Sequence, residues 1–161
     1  MIIIGLDPGS TLLGYGVLKK EKNGDLSVID YGVLQTKEKT IPEKLHSLGA
    51  QLQKLLKETK PDVAGVEQIF FAKNKKTAIE VAHARGVIIS KLLDQNIEIL
   101  EFTPPQVKIA VTGYGLADKR AVALMVAKIL RLEKVQGDDN ASDGLAVAIA
   151  AANSLNALRG L

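Results

Sequence analysis

The chain opens with short apolar runs and turns to helical spacing only after its first forty or so residues. Ile2–Leu6 is a β-branched stretch that stops at Asp7-Pro8-Gly9, the pattern of a strand ending in a turn. Gly14–Lys20 and Leu26–Thr36 predict two more strands. The Asn23-Gly24 pair between them is a strong hairpin signal, so these two should run antiparallel. From Pro42 to Lys57 the residues Leu45, Leu48, Leu52, Leu55 and Leu56 follow helical spacing, with Pro42 suited to a first turn. Pro61 closes that segment, and Val63–Val66 reads as a buried strand ending at Glu67. Thr77–Leu93 predicts a second helix with Ile79, Ala82, Gly86, Ile89 and Leu93 on one face. Ile97–Phe102 is a fifth strand, stopped by Pro104-Pro105. Two helices follow, at about Lys119–Leu132 and at an alanine-rich Ala141–Leu158. The order β-β-β-α-β-α-β-α-α makes the later strands parallel neighbours and predicts an α/β fold: a five-stranded mixed sheet flanked by helices on both faces. No repeat, low-complexity tract or linker interrupts it, so residues 1–161 are expected to form one domain.

Composition narrows the chemistry. The 161 residues include no cysteine, which excludes disulfides, thiolate zinc sites and cysteine nucleophiles together and fits a reducing, cytoplasmic setting. No apolar run reaches the roughly 18 residues of a membrane span, and MIIIGLD meets an acid too early to read as a signal peptide. A net charge of +3 does not announce a nucleic-acid binder. The distribution says more: carboxylates between Asp138 and Asp143 stand apart from Lys73, Lys75 and Lys76 and from Lys108, Lys119 and Arg120. Such separation lets one region hold cations while its rim holds a polyanion backbone.

Sites on open α/β sheets form at the carboxyl ends of strands. Asp7 follows the first strand and Glu67 the fourth, and parallel pairing of those strands would set the two acids side by side. Asp143 lies at the start of the last helix, with Asn140 three residues earlier on the same face. Three converging carboxylates repel one another unless a cation joins them. Mg²⁺ is a hard ion that takes oxygen ligands, and a pair of them can drive in-line phosphodiester cleavage. Taken singly, Asp7 also reads as a turn residue, and Asp138 and Asp139 as helix caps. His46 and His83 sit in helices without a ligand or nucleophile partner, Gly113-Tyr114-Gly115 reads as a flexible loop, and no phosphate-loop motif is present.

Phe70 and Phe71 stand just beyond Glu67 and precede the polar, basic run Ala72–Lys76, expected to be a loop. An aromatic beside Lys73, Asn74, Lys75 and Lys76 suits a base-stacking wedge with backbone contacts; the other reading puts a phenylalanine over the top of the core. Lys108 and Lys119 are either solvated charges or ammonium groups aimed at a scissile phosphate.

In order along the chain, Gly5-Leu6-Asp7-Pro8-Gly9-Ser10-Thr11, Gly14-Tyr15-Gly16, Val66–Asn74, Ala84-Arg85-Gly86, Gln106-Val107-Lys108 and Ala141–Ala146 resemble the RuvC-type crossover junction endodeoxyribonucleases, bacterial Holliday junction resolvases. The resemblance covers essentially the whole length and implies a ribonuclease-H-like fold. It implies that Asp7, Glu67 and Asp143 are catalytic, metal-binding acids. It also implies that Phe70 is a base-stacking aromatic and that Lys108 and Lys119 are catalytic or phosphate-contacting lysines. Phe71, Lys73, Asn74, Lys75, Lys76, Arg85 and Arg120 complete the expected DNA contacts. Paired nicks dependent on two Mg²⁺ (or Mn²⁺) ions, leaving 5′-phosphate and 3′-hydroxyl ends, are implied as well, in recombination and DNA repair. The implied partners are four-way junction DNA, a second copy of the chain, and a branch-migration helicase complex of the RuvA–RuvB type. A two-fold junction calls for two-fold related sites, and the helix 77–93, with small Ala82 and Gly86, is the candidate dimer face.

Two positions depart from the family pattern. Asn140 stands where an acid or histidine usually supplies a fourth ligand, which points to weaker metal affinity, a shift toward Mn²⁺, substitution by Asp139, or an introduced Asp→Asn change. Gly144 replaces a usual alanine and should cost roughly 1 kcal/mol of helix stability unless close packing requires it. The alternatives are a junction-binding form with weakened or no catalysis, a related nuclease acting on RNA, and, remotely, a sugar-kinase-like nucleotide binder.

Overall fold

The computed structural model describes residues 1–69, 75–137 and 139–159, with side chains for all of these except 75–76 and 156–159. Five strands form one sheet: β1 (Ile2–Pro8), β2 (Leu12–Lys20), β3 (Leu26–Gln35), β4 (Val63–Glu67) and β5 (Glu98–Phe102). Their spatial order is β3-β2-β1-β4-β5. The first three are antiparallel neighbours, while β1 pairs with β4 and β4 with β5 in parallel. Such parallel pairing needs crossover connections, which α1 (Ile41–Thr59) and α2 (Lys75–Leu93) supply on one face. The other face carries α3 (Pro104–Thr112), α4 (Lys119–Ile129) and α5 (Asp139–Arg159). The expected mixed, doubly covered sheet is what the chain forms. Among the described residues no helix is long and apolar enough to cross a membrane.

The period of two along each strand divides the core. Ile4, Leu6, Ala64 and Val66 meet Leu48, Leu52, Leu56, Ile88 and Leu92 of the α1–α2 layer. Ile3, Leu18, Val63 and Phe102 meet Val107, Val126, Leu145 and Ile149 of the α3–α5 layer. In α5 the run Leu145–Ala152 is buried along its whole length. A helix buried on every side must be apolar on every side, and alanine lets it lie close to its neighbours. Close approach reaches its limit at the strand glycines. An ideal Cβ on Gly5 would lie 2.2 Å from the Ala148 nitrogen, and one on Gly14 would lie 2.0 Å from the Asn140 carbonyl oxygen. Gly144 answers from the helix side, where a Cβ would stand 2.5 Å from the Tyr15 backbone. Close packing therefore requires this glycine.

Two expectations are corrected. Pro104-Pro105 does not merely stop β5: it opens α3, an unpredicted helix. Thr103 and Gln106 form a reciprocal capping box, and proline in the first turn forfeits no helical hydrogen bond. Next, α2 starts at Lys75, so Lys75 and Lys76 belong to its first turn instead of a loop. The stripe of Ile79, Ala82, Gly86 and Leu93 is the outer one, as a candidate dimer face must be. Ile79 and Leu93 are exposed, and Ala84, Ile88 and Leu92 face the sheet. Both stripes are apolar at helical spacing, and only the packing selects between them.

Candidate nuclease site

The register of β1 on β4 ends with Leu6 opposite Val66, so the next residues, Asp7 and Glu67, stand side by side in the sheet on its α5 face. Asp143, near the start of α5, reaches the same place because the strand glycines let that helix lie on β1 and β2. The three acids line a cleft of about 290 Å³. Pro104, Val107 and Lys108 of α3, Lys119 and Val122 of α4, and Ala146 complete its walls. The unpredicted α3 thus supplies one wall, and it aims Lys108 inward. On the far side of the acid pair, a second hollow of about 200 Å³ continues past Gln68 and Ile69 to Thr77 of α2. Asp7, Glu67 and Pro104 border both, so a groove runs from α4 across the acids toward the start of α2.

The electrostatics are those of crowded carboxylates. Burial pushes the Glu67 carboxyl far above the ordinary range, helped by its hydrogen bond with Asp7 and the charges of Asp7 and Asp143. Asp143 is also raised, chiefly by burial, although Lys119 opposes the shift. The Lys119 ammonium lies 3.1 Å from Asp143 Oδ2. Its own pKa is raised by that hydrogen bond and charge, so it is a fixed cation and not a proton acceptor. Among the described residues no three acids or histidines form a ready-made ligand cluster. Asp7 and Glu67 engage each other while Lys119 holds Asp143. The donor set still fits a hard divalent cation. It offers carboxylate oxygens without sulfur or imidazole, and the repulsion that raises Glu67 is what such a cation relieves.

The remaining expected residues divide. Asn140 is half-buried with its backbone against Gly14, and it does not line the 290 Å³ cleft. Asp139 instead borders an adjoining hollow of about 350 Å³ with Lys119, Arg120, Ser142 and Asp143. Arg120 is exposed at the start of α4. The Arg85 guanidinium pairs with Glu101 of β5, and its Nε is buried. The other Glu101 oxygen accepts from the Gln68 side-chain amide at 3.4 Å, a link not foreseen from sequence. Phe70, Phe71, Lys73, Asn74 and Asp138 lie outside the described residues, and the side chains of Lys75 and Lys76 are not described. The Thr103-Pro-Pro-Gln106 cap was the available signal for the missed wall; the Gln68–Glu101–Arg85 link has none at sequence level.

The family model described as crossover junction endodeoxyribonuclease RuvC matches residues 3–151. A protein of that name from Petrotoga mobilis is 46% identical over 154 residues, covering 95% of this chain and 94% of its own length. The structure of Thermus thermophilus RuvC superposes with a TM-score of 0.87 at 30% identity, over 99% of this chain and 97% of that one. The same protein in complex with a Holliday junction substrate gives a TM-score of 0.85 at 27% identity, with the same coverage.

Proposed function

Since the chain belongs to the RuvC family of crossover junction endodeoxyribonucleases, we propose that it resolves four-way DNA junctions by paired, metal-dependent nicks. The observation that carries this reading is the convergence of Asp7, Glu67 and Asp143 with Lys108 and Lys119 in one cleft. Asp7, Glu67 and Asp143 would hold Mg²⁺. Two such ions, when bound, supply activation of water and relief of charge on the departing 3′ oxygen. The protein's own part is positional and electrostatic. The β1–β4 register holds two of the carboxylates side by side in the sheet. Lys108 and Lys119 place fixed positive charge beside the phosphate, which stabilises the charge that grows on it during cleavage. The products would carry 5′-phosphate and 3′-hydroxyl ends. Asp139, which borders the adjoining hollow with Asp143 and Lys119, would assist there.

A homodimer supplies the second nick. Ile79, Ala82, Gly86 and Leu93 form an exposed, mainly apolar stripe on α2, beside an α1–α2 groove of about 630 Å³. Action with a branch-migration helicase complex of the RuvA–RuvB type belongs to the same reading. A binding form without catalysis finds no support in this cleft. The test is cleavage of a mobile four-way junction in Mg²⁺ and then in Mn²⁺, with Asp7→Asn as control. Symmetric nicks lost in the control establish the resolvase. Junction binding without nicks, or faster cutting of linear RNA, would overturn it.

A further inference from the structure

We propose that the turn joining α3 to α4 is a base-stacking platform, on which Tyr114, flanked by Leu116 and Ile109, takes the face of an unstacked DNA base beside the cleft; this rests on the junction-nuclease reading above. Three large apolar side chains are left outside the core here: Tyr114 is 60% exposed, Leu116 78% and Ile109 54%. Leaving so much apolar surface in water is unfavourable, and grouped side chains of this kind mark a contact surface more often than scattered ones do.

The turn joins the two helices that wall the cleft. Lys108 and Lys119, which flank it in sequence, both line the cleft. Gly115 folds back onto α3, where an ideal Cβ would sit 3.4 Å from Ile109 and 3.7 Å from Pro105. Pro105 adjoins Pro104, a cleft wall. The segment 102–117 contains no acidic residue, so nothing within it repels a polyanion, while Lys108, Lys119 and Arg120 attract one.

Gly113-Tyr114-Gly115 is also a hydrogen-bonded turn and not the flexible loop its composition suggests. Gly113 ends α3 in the left-handed conformation at φ 77°. The Tyr114 N–H donates to Thr112 Oγ1 at 3.1 Å, and the Tyr114 carbonyl accepts from the Ala117 N–H at 3.1 Å. An aromatic presented on a fixed backbone loses little freedom on binding. A base in continuous duplex has both faces covered by its neighbours, whereas one at a branch point can present a face. The platform therefore favours branched DNA over linear DNA.

The test uses full-length protein in the Asp7→Asn background, which binds without cutting, and a four-way junction with 2-aminopurine at positions around the branch. Tyr114→Ala should weaken junction binding about tenfold or more and abolish the 2-aminopurine fluorescence change. Tyr114→Phe should retain both, and Leu116→Ser should weaken binding less than Tyr114→Ala does. Affinity for linear duplex should stay within about twofold. Unchanged junction affinity and fluorescence in Tyr114→Ala would overturn the platform. So would an equal loss on linear duplex, which would mark a general backbone contact, or a smaller sedimenting species, which would mark an interface between copies. If the parent protein shows no preference for junctions, the junction-nuclease reading fails with it; if the parent keeps that preference, failure of Tyr114→Ala to respond concerns the platform alone.

Discussion

Two glycines, each within a helix, behave oppositely on the two faces of the sheet. Gly144 lies in α5, where a methyl group would stand 2.5 Å from the Tyr15 backbone. Gly86 lies in α2, where a methyl group would meet nothing within 4 Å. The first face is closed: α5 is wedged between the sheet and α3–α4, with small residues on both sides of the contact. The second is open, with an apolar stripe and a groove turned to solvent. Close packing belongs where three carboxylates must be held together against their own repulsion. Open apolar surface belongs where something else can cover it.

The largest expected effect on the closed face is chemical. Lys119→Ala should lower the rate of junction nicking by about 10²–10³-fold with little loss of affinity, as read in single-turnover kinetics. A comparable loss of binding instead would make Lys119 a phosphate anchor only. Gly144→Ala should destabilise by about 1–3 kcal/mol in urea unfolding despite alanine's better helix propensity, because backbone must move. No loss would mean that α5 can lift from the strands, and that the acids are held less tightly than the contacts imply.

The pH dependence sharpens the same contrast. The folded pKa of Glu67 is raised above its ordinary value near 4.5. Its contribution to stability is therefore fully present below that value and is lost as pH rises toward and through the folded pKa. Asp143 is shifted in the same direction. The metal-free protein should thus lose stability between about pH 5 and pH 8. Glu67→Gln should flatten that slope, and Mg²⁺ should stabilise more as pH rises. A thermal-melting series with and without Mg²⁺ checks this; a metal-free profile that rises with pH would contradict the raised Glu67 carboxyl.

Smaller effects follow. Thr103→Ala removes the cap of α3 and should cost about 1 kcal/mol. On the open face, Gly86→Ala should be neutral or stabilising by up to about 1 kcal/mol. If it instead weakens self-association in sedimentation, the α2 stripe is where two copies meet.

Much of this was legible in the sequence because local signals decide it. The Asn23-Gly24 hairpin, the α1 leucines and the acids ending β1 and β4 are each set by neighbours a few positions apart. Convergence of Asp7 with Glu67 needed one further premise, the parallel pairing, which short crossovers between strands make the natural solution. The start of α3 was legible in principle, since Thr103 and Gln106 carry a complete capping box, but the two prolines read as a stop. The pairing of Arg85 with Glu101 was not legible: sixteen residues separate them, and no periodicity relates a helix position to a strand position.

The sequence by itself determined the elements other than α3, the acids at their ends and the family to which the pattern belongs, because turn chemistry, helix caps and hydrophobic period act over a few residues. The tertiary structure alone decided which stripe of α2 faces inward, why Gly144 is glycine, and that Asp139 and not Asn140 borders the hollow beside Asp143 and Lys119. Those outcomes depend on which surfaces meet. Two stripes of equal hydrophobicity, or two neighbouring polar residues at a helix start, differ only in what lies opposite them.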